Sequence, residues 1–189
     1  MVFPVSLKID GARCLVVGGG KVALQKARAL ARGGARLTVV SPELAPAFKR
    51  LEARYLRRPF RPSDATGQFL AIAATDDSEV NRAVHRECLR RGVLVNVVDV
   101  PALCTFIVPS VVRRGPVTLA ISTDGESPAL AKALRKDLER LYPRSLGRFA
   151  RTVGRARRRI LRALPPSEAR TRILKGLARG LAFTQAGAR

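Results

Sequence analysis

Tryptophan is absent from this 189-residue chain, aromatic residues make up 5%, and there is one histidine. So few flat rings leave little to stack against single-stranded bases. His85 and three scattered cysteines, Cys14, Cys88 and Cys104, form no CxxC pair. A Cys/His zinc site needs three or four ligands, so no metal site is expected, and a disulfide framework is excluded as well. The three thiols are expected to be buried or half-buried. No apolar run approaches the roughly 18 residues of a spanning helix. Met1 to Ser6 carries no basic segment of the kind that opens a signal peptide. A cytoplasmic protein with no membrane partner is expected. Acids are scarce too: 14 Asp and Glu stand against 36 Lys and Arg, a net charge of +22. Such a field gathers polyanions: nucleic acid, an anionic membrane surface, or a small molecule with several carboxylates or phosphates. No nucleic-acid reader motif accompanies it, so nucleic acid is not the expected partner.

What is present reads as three blocks, with boundaries expected at 1–112, 113–143 and 144–189. In the first, short apolar strands at Arg13–Val17, Arg36–Val40, Phe69–Ala74 and Leu94–Val98 alternate with helical stretches, the first from Lys21 to Arg32. A helical loop is expected around Ala45 to Ala53, then a short strand at Arg54–Arg57. Ser78 reads as the cap of a helix reaching about Arg91. Alternation of this kind predicts a parallel sheet covered on both faces, an α/β, Rossmann-like fold. In the second, Thr105–Val108 and Val117–Ser122 read as paired strands about an Arg113–Pro116 turn. Ser127-Pro128 then opens a helix striped by Leu130, Leu134, Leu138 and Leu141. Two strands and a helix are too little to stand alone, so this small α+β unit is expected to complete its core against a second copy. The third block holds 13 Lys or Arg against one acid, Glu168. Apolar residues at helical spacing and the Pro165-Pro166 break make it a basic helical hairpin, with fraying from Gln185 onward.

Gly18-Gly19-Gly20-Lys21-Val22-Ala23 fits G-x-G-x-x-A between a strand and a helix. Such glycines bring backbone against a pyrophosphate at a helix N-terminus. The second strand ends Val40-Ser41-Pro42-Glu43, so the acid expected to meet the adenosine ribose comes about two residues late. Either Glu43 or Ser41 serves the ribose, and nearby Arg50 keeps NADP open beside NAD. Asp76, Asp77, Asn96 and Asp99 follow strands at the carboxyl edge, where doubly wound sheets place ligands. Asp76 and Asp77 read first as helix caps. Asp99 has two readings of equal standing, a proton acceptor or a turn-capping aspartate.

The ordered set resembles the precorrin-2 dehydrogenase family of sirohaem synthesis. It comprises Phe3-Pro4-Val5, the glycine loop with Lys26-Ala27, Gly34-Ala35, Ala73 to Asp77 with Asn81, Asn96-Val97-Val98-Asp99, Phe106 to Ser110, and Ser122 to Pro128. The resemblance implies an NAD-dependent oxidation of precorrin-2 to sirohydrochlorin. It implies Gly18, Gly19, Gly20, Lys21 and Val22 on the pyrophosphate, Ser41, Pro42 and Glu43 at the adenosine end, and Ala74 and Thr75 close to the cofactor. Asp99 is then the acid-base residue, with Asp124 its rival, and Asn96, Thr123, Asp124 and Ser127 meet the tetrapyrrole substrate. Thr123 stands where some relatives have serine. A homodimer through residues 113–143 and C-terminal helices enclosing the tetrapyrrole are implied as well. Some members also insert ferrous iron, which would pass through as a transient substrate. Two other readings compete: a non-catalytic NAD-sensing domain, and a basic nucleic-acid binder.

Overall fold

A computed structural model describes residues 2–179. The chain divides between Val108 and Pro109 into two compact units. The sheet of the first unit is built on β1 (Arg13–Val17), where four apolar residues in succession are buried on both faces. The other strands are β2 (Arg36–Val40), β3 (Arg54–Leu56), β4 (Leu70–Ala73) and β5 (Leu94–Val97). Their order is β3-β2-β1-β4-β5 with every pairing parallel, so β1 lies between the two directions of winding. The expected parallel sheet is the observed one.

Period-two alternation divides the core into two layers. Cys14 and Val16 pack with Ala23, Leu24, Ala27 and Leu30 of α1 (Lys21–Ala31). Leu15 and Val17 face the other way, toward Val84 and Cys88 of α2 (Ser78–Arg90). Burial pushes the Cys14 thiol up to about 11. Burial, with the Glu87 charge added, does the same to Cys88. Both are inert core thiols, as is half-buried Cys104 within its hydrogen bonds to Val97 and Val100. The cap of α2 is Asp77 rather than Ser78. The Asp77 carboxylate accepts from the Glu79 and Val80 N–H groups, leaving Ser78 as the first helical residue.

The second unit opens with a hairpin, β6 (Ser110–Arg114) against β7 (Val117–Ile121), antiparallel. The strand expected at Thr105–Val108 is not formed. Thr105 donates its N–H to Val95 O and its hydroxyl accepts from Val95 N–H, tying that segment to β5. The pairing partner of β7 therefore begins beyond Pro109. The charged residues Arg113 and Arg114, read as turn, end a strand instead. Gly115 at φ +60° with Pro116 closes a two-residue loop in the glycine-first pattern of a II′ hairpin. The boundary expected after residue 112 thus falls inside β6.

Ser127 caps α3 (Pro128–Leu141), accepting from Leu130 N–H as its sequence predicts. Arg114 donates to the carbonyls of Glu139 and Tyr142, satisfying the end of that helix. Then follow α4 (Ser145–Ala163) and α5 (Glu168–Arg179), broken at Pro165-Pro166, with Ser167 accepting from Arg170 N–H. Gly147 lets α4 approach the hairpin turn, since a Cβ there would sit 2.8 Å from Arg114 O. The fraying expected from Gln185 onward lies outside the described residues. No helix among the described residues is long and apolar enough to cross a membrane.

One ion pair closes the irregular chain between β3 and β4 upon itself. Arg58 grips both oxygens of buried Asp64 at 2.8 and 2.6 Å, and Arg61 N–H donates to the same carboxylate. Burial works to raise the Asp64 carboxyl, but Arg58 and the Arg61 N–H outweigh it and hold it below the usual range. Asp64→Ala should lower unfolding stability by about 2 kcal/mol at pH 7, measured by urea denaturation. A depressed folded pKa stabilises above the unfolded value and loses that contribution in acid. The gap between parent and variant should therefore close as pH falls below about 4.

Candidate dinucleotide site

The glycine loop leaves β1 where winding reverses, between β2 on one side and β4 on the other. Each glycine has its own reason. Gly18 stands at φ +125°, and a side chain there would collide with Ala74 O. A side chain on Gly19 would collide with Glu43 O and lie 2.8 Å from Ser41 Oγ. Gly18 N–H donates to Val40 O, and Ala45 N–H donates to Gly19 O. These two glycines are demanded by the fold itself.

Gly20 is different. Its φ of −82° suits any residue, and a Cβ would meet nothing within 4 Å. It is the N-cap of α1 yet offers no capping side chain, and no acid occupies the first turn. The N–H groups of Lys21 and Val22 have no carbonyl partner within the helix. Lys21 adds a positive charge to the positive end of the helix dipole. Open space, free donors and positive potential at one point suit a pyrophosphate. The residues present fit a dinucleotide.

The neighbouring wall is set by Asn81 of α2. Asn81, 8% exposed on α2, donates from Nδ2 to Thr75 O at 2.9 Å and accepts from Thr75 N–H at 3.4 Å. Thr75 Oγ1 lies 2.9 Å from both Asn81 Oδ1 and Asp77 O, and accepts from Asp77 N–H. The Ala74–Asp77 loop is thereby held beside Gly18. The signal was there: an Asn one turn beyond a capping Asp can reach back to the loop before the helix. In the segment expected to meet the adenosine, Ser41 is buried, while Pro42 and Glu43 are exposed. The late carboxylate of Glu43 faces solvent.

Two other candidates come off β5 and differ sharply. Asn96 is buried, and its amide donates to Phe106 O at 3.0 Å and to Cys104 Sγ. That commits it to the protein. Asp99 is exposed in the Val97–Val100 turn at φ +60°, one strand over from Ala74. Its carboxylate makes no hydrogen bond or ion pair among the described residues. His85 is half-buried with Nδ1 2.9 Å from Leu103 O, a structural contact.

Thr123, Asp124 and Ser127 belong to the second unit. Thr123 Oγ1 accepts from Ser127 N–H at 3.2 Å and lies 3.2 Å from Ser127 O, so the two brace one turn. Asp124, exposed at φ +51°, projects from that turn. Among the described residues no group of three or more His, Cys, Asp or Glu is placed to hold a metal ion.

A doubly wound sheet with a phosphate-shaped opening at its switch point defines a nucleotide-binding unit of the Rossmann class. A family described as putative NAD(P)-binding matches residues 5–110, and one described as sirohaem biosynthesis protein central matches residues 114–141. The chain belongs to the putative NAD(P)-binding family and carries the sirohaem-biosynthesis central segment behind that domain. Similar sequences include siroheme synthase 2 of Aeromonas hydrophila, 48% identical over 85% of this chain and 35% of the relative. The siroheme synthase of Methylobacillus flagellatus is 50% identical over 78% of this chain and 32% of its own. The chain thus spans about a third of the length of these curated relatives. A solved structure described as SirC, precorrin-2 dehydrogenase, is 28% identical, with TM-score 0.80 over 93% of this chain and 89% of that one.

Because the Gly20 position is sterically open, Gly20→Asp should fold normally and place a carboxylate where the pyrophosphate belongs. NAD affinity, measured by calorimetric titration, should fall at least tenfold, about 1.4 kcal/mol. An equal change at Gly19 should instead cost the fold, seen as a lowered melting temperature. Unchanged affinity in folded G20D would move the cofactor elsewhere.

Proposed function

We propose that the chain oxidises precorrin-2 to sirohydrochlorin in sirohaem biosynthesis, using NAD, with Asp99 as general base. The observation that carries this reading is the likeness to the precorrin-2 dehydrogenase SirC across nearly the whole chain. The relatives named siroheme synthase and the central segment support the same pathway. NAD, when bound, accepts the hydride. The protein's own groups position and deprotonate. The Gly18–Gly20 backbone and the N-terminus of α1 hold the pyrophosphate, and the Ala74–Thr75 loop, pinned by Asn81, sets the adjacent wall.

Oxidation of the macrocycle releases a proton along with the hydride, and Asp99 takes it. Asp99 is exposed at the carboxyl edge, in the turn that follows β5, the strand paired with β4 before the Ala74 loop. The positive φ supports a role beyond the turn itself, because glycine or asparagine would hold that turn with less strain. Asp124 is the rival base. The basic surface draws in the polycarboxylate substrate, and the N-terminus of α3 at Ser127 offers a carboxylate seat. The second unit pairs with a second copy: Leu130, Leu134 and Leu141 of α3 are 51%, 41% and 55% exposed. A stripe of that kind needs a cover.

Anaerobic incubation with precorrin-2 and NAD, followed through NADH absorbance and the sirohydrochlorin spectrum, tests the activity. Asparagine tolerates positive φ, so Asp99→Asn keeps the turn. Turnover should fall about 10²-fold or more, with NAD affinity unchanged. D99N turnover within about threefold of the parent would move the base to Asp124. Light scattering at micromolar concentration should return a dimer. A monomer mass would overturn the pairing.

A further inference from the structure

With no side-chain bond to fix it, the Asp99 carboxylate points where its main chain directs it. That main chain is the Val97–Val100 turn, in which Asp99 stands at φ +60°. A residue with a side chain keeps such a φ only where its surroundings over-determine it. The turn's own closing bond is long, 3.3 Å from Val100 N–H to Val97 O. A second brace comes from further along the chain.

β5 ends its sheet, so alternate residues turn their N–H and C=O groups away from β4 with no strand to receive them. Val95 and Val97 are buried, and buried main-chain groups need partners. Side chains of the returning segment provide them. Thr105 takes both groups of Val95. Cys104 does the same at Val97: its Sγ accepts from Val97 N–H at 3.2 Å and lies 3.2 Å from Val97 O, within reach of its S–H. Val100 O is 3.4 Å from the same sulfur. One thiol therefore meets both ends of the turn whose third residue is Asp99. Asn96 Nδ2 donates to it as well, at 3.4 Å.

Cys104 is itself held in place. Its N–H donates to Pro101 O at 3.0 Å, and the residues on either side of it are anchored too. His85 Nδ1 donates to Leu103 O at 2.9 Å from α2, and Thr105 is tied to Val95. Burial raises the Cys104 thiol, against the opposing pull of the Val97 N–H and the Lys26 charge. The sulfur thus keeps its proton at neutral pH and stays both a donor and an acceptor. An ionised sulfur would have nothing to give Val97 O or Val100 O.

We propose that Cys104 is a positioning residue for Asp99: its thiol clasps the Val97–Val100 turn and so aims the carboxylate. The inference rests on Asp99 being the base. Its test is anaerobic, NAD-dependent turnover of precorrin-2 by the full chain and its variants. Cys104→Ala should lower kcat about tenfold or more, because a misaimed base is a poor one. KM for precorrin-2 and NAD affinity should stay within about twofold of the parent. Cys104→Ser restores a group that both donates and accepts, and should bring kcat back to within about threefold. In the D99N background, where no base is left to aim, Cys104→Ala should cost less than about twofold more. Hydrogen exchange in the peptide spanning residues 97–103 should quicken about fivefold in C104A but not in C104S. Cys88→Ala, which removes a buried thiol away from the turn, should lower the melting temperature and leave kcat as in the parent. If C104A does not fold, Cys104→Val, which fills the space without the hydrogen bonds, takes its place in each comparison. Parental kcat or exchange in C104A, a serine variant no better than alanine, or an equal loss from C104A in the D99N background would each overturn the positioning role while leaving Asp99 as the base. D99N turnover within about threefold of the parent would instead overturn the reading of Asp99, and the positioning role with it.

Discussion

Backbone pressed against backbone is the constraint from which the nucleotide unit follows. The carbonyls of Ala74 and Glu43 occupy the space that side chains on Gly18 and Gly19 would need. That closeness is possible only because β1 sits between β2 and β4, so the loops following all three strands converge on one point. It draws the Ala74–Asp77 loop over the end of β1 and brings Ser41 in beside Gly19. The opening at Gly20 is what remains when its two neighbours are packed so tightly. A binding site here is a gap left by the packing, lined by helix N–H groups that the chain itself cannot satisfy.

Polar residues near the carboxyl edge divide between supporting the scaffold and facing outward. Asn81 and Asn96 are both buried and both spend their amides on main-chain carbonyls, of Thr75 and Phe106. Burying an amide without such partners would cost several kcal/mol, so these bonds are required once the residue is inside. Asp99 takes the opposite course, exposed and in a backbone conformation that Asp tolerates at some cost. Two residues three apart on one strand and its turn thus serve unlike purposes. The strand's alternation buries one, and the turn exposes the other.

In the second unit, small devices do the holding. Arg114 closes the C-terminus of α3, Gly147 admits α4 to the hairpin turn, and Thr123 with Ser127 braces the entry to α3. This unit buries little: among its described residues the buried apolar side chains are Val112, Ala131 and, from α4, Leu146. The leucines of α3 stay largely outside. A unit with so small a core has its strongest apolar surface facing outward, which is the physical ground for the proposed pairing with a second copy.

Local rules were enough for most of the elements. The runs Cys14–Val17 and Leu37–Val40, short, rich in valine and bounded by glycine or proline, read as strands, the glycines after β1 demand a turn, and Ser127-Pro128 and Ser167 announce helices with their own caps. The family likeness was legible for the same reason, since it rests on ordered short motifs. The start of the hairpin was not legible, because Thr105–Val108 is as apolar as a strand. Only its side-chain ties to Val95 and Asn96 reveal that it belongs to the first unit. Nor could the sequence separate Gly20 from Gly18 and Gly19, or buried Asn96 from exposed Asp99. Those distinctions depend on which atoms of distant segments come to lie within a few ångströms. Hydrophobic periodicity carries no record of that: it reports which face of an element is buried, and the pairing of elements far apart in the chain decides what each buried or exposed group meets.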